Sequence, residues 1–150
     1  MAANLGRLAA WMVWAVPAAG TVQEQRRRIP QAVERWDDGV SFQYLAIHTD
    51  TGTHLGNFAL ERRIGPGAIE LGYWLAGDAT GYGYATEAAG VLTDVALTLS
   101  DVDRVEIHCD VANLRSILVP RRLGYRLDRI EEDGVRAPAE SGRSMIWVYP

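Results

Sequence analysis

Cysteine is almost absent from this chain. Cys109 is the only one in 150 residues, so neither an internal disulfide nor a cysteine-type zinc site can form, and a reducing, cytoplasmic setting is expected. Histidine is nearly as scarce, and His48, His54 and His108 do not fall at metal-ligand spacing. No metal is therefore expected. No apolar run reaches the roughly 18 residues of a membrane-spanning helix. The apolar start, Met1 to Val16, lacks a distinct basic segment and is rich in Trp, so it does not read as a signal peptide. Excess positive charge is missing too. The formal net charge of −4 argues against general nucleic-acid binding and mildly favours a cationic substrate. There is no internal repeat and no low-complexity linker, so 1–150 reads as one domain. The 48% hydrophobic and 23% charged composition supplies a single ordinary core.

The informative stretch runs from Glu70 to Ala89. Glu70-Leu71-Gly72-Tyr73-Trp74-Leu75 has strand character with a bulky end. A glycine-rich turn follows, and then a helix continuing through Val91, Leu92, Val95, Ala96 and Leu99. Strand, glycine turn and helix together make an anion site. Gly81 and Gly83 let backbone N–H groups approach a ligand, and the first N–H groups of the helix lack internal partners. Three phosphate-binding motifs compete for this layout. The P-loop needs a lysine after its glycines, and none follows here. The dinucleotide fingerprint is half present as Gly81, Gly83 and Thr86, but the acid at its spacing, Asp103, falls before the next strand.

The third is the acetyl-CoA signature. Thr80-Gly81-Tyr82-Gly83-Tyr84-Ala85 resembles the Gln/Arg-x-x-Gly-x-Gly/Ala turn of the GNAT N-acetyltransferases, with Thr80 standing where that family usually has Arg or Gln. Glu70 to Leu75 and Thr86-Glu87-Ala88 are similar to the RimJ/RimL-type branch, which acetylates protein N-termini such as those of ribosomal proteins. Asn113-Leu114-Arg115-Ser116 resembles the family's Asn-x-x-Ser, and Arg121-Arg122-Leu123-Gly124-Tyr125 its basic-Leu-Gly-aromatic close. The resemblance covers about 11 to 149 and is strongest over 70–89 and 104–125. It implies an α+β, three-layer α/β/α GNAT fold. The sheet would be mixed and mostly antiparallel, with one parallel crossover at the cofactor site. The chain begins inside the family's first helix, so the family's first strand is expected to be missing.

The local signals fit that order. Leu5, Leu8, Ala9, Met12 and Val13 predict a helix over 3–14, ended by Pro17 and flanked by Trp11 and Trp14, in a region that walls the substrate pocket of similar proteins. Thr21-Val22-Gln23-Glu24 reads as a capping box opening a helix to about Asp37. Ile29, Val33 and Trp36 form its apolar stripe, Arg26-Arg27-Arg28 a solvated face, and Pro30 a kink. Strands are expected over 42–48, 55–60 and 69–75 as an antiparallel meander, then a helix over 84–99 and a strand over 104–110. A helix between two such strands implies a right-handed parallel crossover. Asn113 to Leu123 is a helix with Asn113 as N-cap and Gly124 as C′ residue, and Pro120 leaves the carbonyl of Ser116 without its helical partner. Strands over 125–132 and 145–149 flank a polar loop, 133–142.

The reaction implied by the resemblance is attack of an amine on the thioester of acetyl-CoA. Glu70 is the base candidate, directly or through water, or else a carboxylate paired with a surface arginine. Ser116 is the acid candidate for the leaving thiolate, with a backbone N–H near Leu75 stabilising the oxyanion. His108 is a spare base. Cys109 has no histidine placed to activate it. Cofactor contacts are expected from Trp74, Leu75, Tyr82, Gly83, Tyr84, Ala85, Thr86 and Asn113. The acceptor is expected to be a protein N-terminal α-amine. A small-molecule amine and a non-catalytic CoA-binding or interaction module remain open. Without the family's first strand, the strand from Phe42 exposes an edge, and self-association there, as in a homodimer, or marginal stability is expected.

Overall fold

Why the sheet opens where it does follows from its order. The computed structural model describes all residues, 1–150. The strands β1 (Ser41–Ile47), β2 (His54–Glu61) and β3 (Gly67–Leu75) form the antiparallel meander, and β4 (Val102–Asp110), β5 (Arg126–Glu132) and β6 (Arg143–Tyr149) complete one sheet of order β1-β2-β3-β4-β6-β5. Only β3 and β4 are parallel. Their pairing runs from Gly67 opposite Val102 to Glu70 opposite Glu106 and stops there. Beyond that point β3 stays with β2 as far as Leu75 opposite Gly56, and β4 stays with β6 as far as Asp110 opposite Ser144. The two halves of the sheet therefore part at the carboxyl ends of the parallel pair, where open sheets bind ligands.

One face of the sheet is the main core. Phe58, Leu60, Ile69, Leu71, Val105 and Ile107 alternate onto it and are fully buried. Helix α1 (Leu5–Leu8) and helix α2 (Val22–Asp37) precede the sheet; helix α3 (Tyr84–Leu97) makes the crossover, and helix α4 (Leu114–Leu123) follows β4. Ala89 and Ala96 of α3 have no exposed surface, so that helix lies close to the strands. The opposite face carries Trp74, packed with Leu8 and Ala15 of the N-terminal segment. No helix is long and apolar enough to cross a membrane.

Capping chemistry sets the helix ends as expected. Thr21 Oγ1 accepts from the Glu24 amide at 3.2 Å, Asn113 Oδ1 accepts from the Ser116 amide at 3.2 Å, and Gly124 ends α4 at φ +83°. The Glu24 carboxylate turns to Arg27 and Arg28 instead of closing the capping box. Both prolines are absorbed, and α2 and α4 each run through them as one helix. At Pro120 the freed Ser116 carbonyl accepts from Tyr73 Oη at 3.2 Å, so the lost helical bond is replaced from β3.

Two expectations are corrected. The helix expected over 3–14 ends at Leu8. Tertiary anchors explain the early stop. Arg7 donates to the Leu75 carbonyl, Asn4 Oδ1 accepts from the Gly77 amide at 2.8 Å, and the chain then curls so that Ala9, Met12 and Ala15 gather around Trp74. Helix propensity, worth under about 1 kcal/mol per residue, yields to that packing. The stripe of α2 is the second. Trp36 packs edge-on against Phe42 and Tyr44 at 5.2 Å each, but Ile29 and Val33 are 60% and 53% exposed. They face an open cleft instead of a core.

Candidate active site

The glycine turn meets the opening between β3 and β4. Gly81 and Gly83 hold φ near +93° and +90°, the left-handed region that side chains avoid. A Cβ built on either would meet nothing within 4 Å. The amides of residues 81–85 find no acceptor in the protein. They are unpaired donors at the positive end of α3 with open space before them, which fits a pyrophosphate. Thr86 differs from its neighbours, because its amide is turned inward to the Gly83 carbonyl at 2.9 Å. Thr80 spends its hydroxyl on the Gly77 carbonyl at 2.8 Å. The rings of Tyr82 and Tyr84 stack on each other at 5.8 Å, and Tyr84 meets His48 at 6.2 Å. Those rings line a small separate pocket with His48, so at this turn the large cleft is bordered by Thr80, Gly81, Gly83, Ala85 and Thr86.

Backbone alternation brings further donors to the opening. Ala76 donates to Leu55 at 2.7 Å, which turns Ala76 and Trp74 toward β2 and the N–H groups of Tyr73 and Leu75 toward the side β4 has left. The Leu75 amide thus faces the gap, as an oxyanion donor must. The Trp74 ring does not. It is buried on the other face between Trp14 at 6.4 Å and His54 at 5.6 Å.

Tyr73 of β3 and Cys109 of β4, from the two sides of the gap, both meet Ser116 of α4. Tyr73 Oη reaches the Ser116 hydroxyl at 3.3 Å as well as its carbonyl. Burial raises the Tyr73 phenol far above its ordinary range, so it is a neutral donor. Burial also pushes the Cys109 thiol up to about 11, against the weaker lowering effects of Ser116 and Trp147. A thiol so placed is a poor nucleophile.

Three carboxylates stand in register on this face of the sheet, Glu61 on β2, Glu70 on β3 and the enclosed Glu106 on β4, and the first two line the cleft. Like charges so placed need counter-charges. Glu61 has Arg35 at 3.0 Å and Ser41 at 2.8 Å. Glu70 is gripped by Arg63 through two bonds of 2.7 and 2.6 Å, the arginine-paired arrangement weighed for it from sequence. Glu106 takes Arg104 and His108, each at 2.8 Å. Burial pushes the Glu106 carboxyl up, but these hydrogen bonds outweigh it and hold the group below the usual carboxylate range. Asp110 behaves alike, with burial opposed by the amides of Ala112 and Ser141 at 2.8 Å each.

Both depressed carboxyls stabilise the fold above about pH 4, and that contribution is lost as pH falls through their folded values. The urea midpoint is expected to drop steeply below pH 4. Asp110→Asn should make the drop shallower and lower the midpoint at pH 7. An unchanged profile in Asp110→Asn would show that this residue does not carry the acid sensitivity.

Glu70 and His108 face the same cleft of about 2070 Å³, which also takes in Trp11, Trp14, Ile29, Val33, Asn113 and Ser116. Two side chains wired into this site, Arg63 and Tyr73, carry no signal in the sequence. They act across a turn or across 43 residues of chain. The Glu106–His108 pair was readable, since residues two apart share a strand face. No cluster of His, Cys, Asp and Glu is arranged to hold a metal ion.

Comparison with known proteins agrees with this geometry. The model of the GNAT acetyltransferase domain matches residues 2–126. No curated protein sequence matches the chain. Among solved structures, the ribosomal-protein-S5-alanine acetyltransferase from Vibrio fischeri is 19% identical with a TM-score of 0.86, over 97% of this chain and 81% of that one. RimL, a ribosomal L7/L12 α-N-protein acetyltransferase in complex with coenzyme A, is 22% identical with a TM-score of 0.84, over 97% and 81%. The microcin C7 self-immunity acetyltransferase MccE, in complex with acetyl-CoA and AMP, is 19% identical with a TM-score of 0.85, over 98% and 81%. With the parted β3–β4 pair, the glycine turn opening α3 and a domain match over most of its length, this chain belongs to the GNAT acetyltransferase family.

Proposed function

We propose that this protein transfers an acetyl group from acetyl-CoA to a protein N-terminal α-amine, in the cytoplasm. The observation that carries the reading is the opening between β3 and β4 ending on the unpaired amides of residues 81–85. Those amides of Tyr82, Gly83, Tyr84 and Ala85 hold the pyrophosphate. Asn113, beyond capping α4, borders the cofactor. The Leu75 amide faces the oxyanion, and Ser116, steadied by Tyr73, gives the leaving thiolate its proton. An α-amine has a pKa near 8, so its deprotonation needs only modest help. Glu70, its carboxylate held by Arg63, and the spare base His108 both border the cleft and are the candidates for that help. The exposed Ile29 and Val33 of α2 give a peptide acceptor an apolar wall beside the acidic floor. The ribosomal-protein acetyltransferases among the structural neighbours favour the same acceptor class.

A second reading, a CoA-binding module without catalysis, is favoured by the capping role of Thr80 and the grip of Arg63 on Glu70. Thiol release from acetyl-CoA, measured against N-terminal peptides and small amines, separates the two. The chain contains no lysine, so its own α-amine is the only background acceptor. Turnover with peptides is expected; turnover with small amines alone would move the acceptor, and binding without turnover would select the module.

A homodimer is part of the proposal. The strand β1 pairs only with β2, and its exposed Leu45 and Ile47 accompany an unpaired edge. Light scattering is expected to show self-association, and a monomer at millimolar concentration would refute it.

A further inference from the structure

We propose that His108 is the base that takes the acceptor's proton and that Glu106 is the residue positioning it, an inference resting on the acetyltransferase reading of this site. The pair sits where the sheet parts. Glu106 is opposite Glu70, the last residue of β3 in parallel register, so its side chain is enclosed between strands and 3% exposed. His108 is the next residue of β4 on that face. It has Ile146 of β6 beside it and no partner on β3, so it borders the gap. Its ring is half-buried and lines the cleft.

The hydrogen bonds decide which nitrogen is available. An ionised carboxylate only accepts, so Nε2 carries the hydrogen donated to Glu106 at 2.8 Å. Arg104 on the other oxygen keeps that carboxylate ionised. Nδ1 then holds the lone pair, and it has neither a protein partner nor a buried position. Glu70 is the weaker choice because Arg63 occupies both of its oxygens. Other charges share this face by strand register or lie near it. They are Arg104 and Asp110 on β4, Glu70 with Arg63 at β3, and Arg129 and Glu131 on β5. Arg7 and Arg28 border the cleft from the N-terminal side.

The step balances without any further reagent. The amine nitrogen bonds to the thioester carbon, Nδ1 takes its proton, and the carbon–sulfur bond breaks with its electron pair leaving on sulfur. The thiolate gains a proton from water, or from Ser116, which regains its own from solvent, and the imidazolium returns its proton to solvent.

The test combines kinetics and the ring itself. Turnover at saturating acceptor is followed from pH 6 to 9.5 in the wild type, His108→Gln, Glu106→Gln and Glu70→Gln, and nitrogen NMR reports the His108 tautomer in the free protein. His108→Gln is expected to lose about 10²-fold or more in kcat near neutrality, with KM for acetyl-CoA little changed and the loss shrinking as pH rises. Glu106→Gln should lose about 10-fold, move the acid limb of the profile and mix the tautomers, because Gln no longer demands a donor. Glu70→Gln should lose less than His108→Gln. His108→Gln within about 5-fold of an active wild type, or a wild-type ring protonated at Nδ1, overturns the proposal. A wild type inactive with every acceptor defeats the acetyltransferase reading instead. Should Glu106→Gln fail to fold, His108→Gln and the wild-type tautomer decide alone.

Discussion

Gly83→Val is expected to weaken acetyl-CoA binding by at least about 100-fold, a loss of roughly 2.7 kcal/mol. Two effects act together. Gly83 is the N-cap of α3 at φ +90°, where a β-branched residue is strained by about 1–3 kcal/mol. Its Cβ would also stand in open space beside the unpaired amides of residues 81–85, the space proposed for the pyrophosphate. Calorimetric titration with acetyl-CoA measures the affinity, and a thermal melt shows that the variant is folded. Unchanged affinity in a folded Gly83→Val variant would remove the pyrophosphate from this turn. Thr80→Arg is the converse change. It gives up the short cap on Gly77 and adds a cation at the family's usual position, so binding should tighten or stay the same.

Ser116→Ala is expected to lower kcat about 10²-fold or more while acetyl-CoA binding stays close to normal. The loss should persist at every pH where chemistry limits, since a missing donor to the thiolate is not replaced by deprotonating the amine. Tyr73→Phe provides the structural control. Because Pro120 has no N–H, Tyr73 is the donor to the Ser116 carbonyl, and its loss should cost about 1–3 kcal/mol of stability. Its effect on kcat should be smaller than that of Ser116→Ala. Equal kcat losses in both variants would mean that Ser116 matters for placing α4 and not for the proton. A loss under about 5-fold in Ser116→Ala would take the hydroxyl out of the reaction.

What could be read from sequence is what local chemistry determines. Asn113 and Gly124 bracket α4 because capping and the left-handed conformation are properties of single residues. The parallel β3–β4 pair follows from a helix set between two strands. The glycine turn was readable because Gly81 and Gly83 are required by backbone shape. The site's polar wiring was not. Arg63 reaches Glu70 only because the turn between them folds β3 back past it, and nothing in the spacing separates a gripped carboxylate from a free one. The α2 stripe has the period of a core helix, but Ile29 and Val33 face the cleft. Periodicity reports amphipathicity and says nothing of whether the apolar side meets protein or ligand. Helix α1 stops at Leu8 because Arg7 and Asn4 bind β3 and the turn after it, contacts some 70 residues distant in the chain.

The parting of β3 from β4 also shapes how the molecule opens. Within the sheet only four residue pairs join the β1–β3 half to the β4–β6 half, and outside it the crossover helix α3, the Tyr73–Ser116 bond and the Arg62–Asp101 pair span the junction. The amides of Tyr73 and Leu75, without a strand partner, should exchange their hydrogens quickly in the free protein, and local opening along this seam should cost less than global unfolding. A ligand lying in the gap and bonded to those amides would act as an added strand between the halves. Its binding energy would then appear as slowed exchange at Tyr73 and Leu75 and as a melting temperature that climbs with the logarithm of acetyl-CoA concentration.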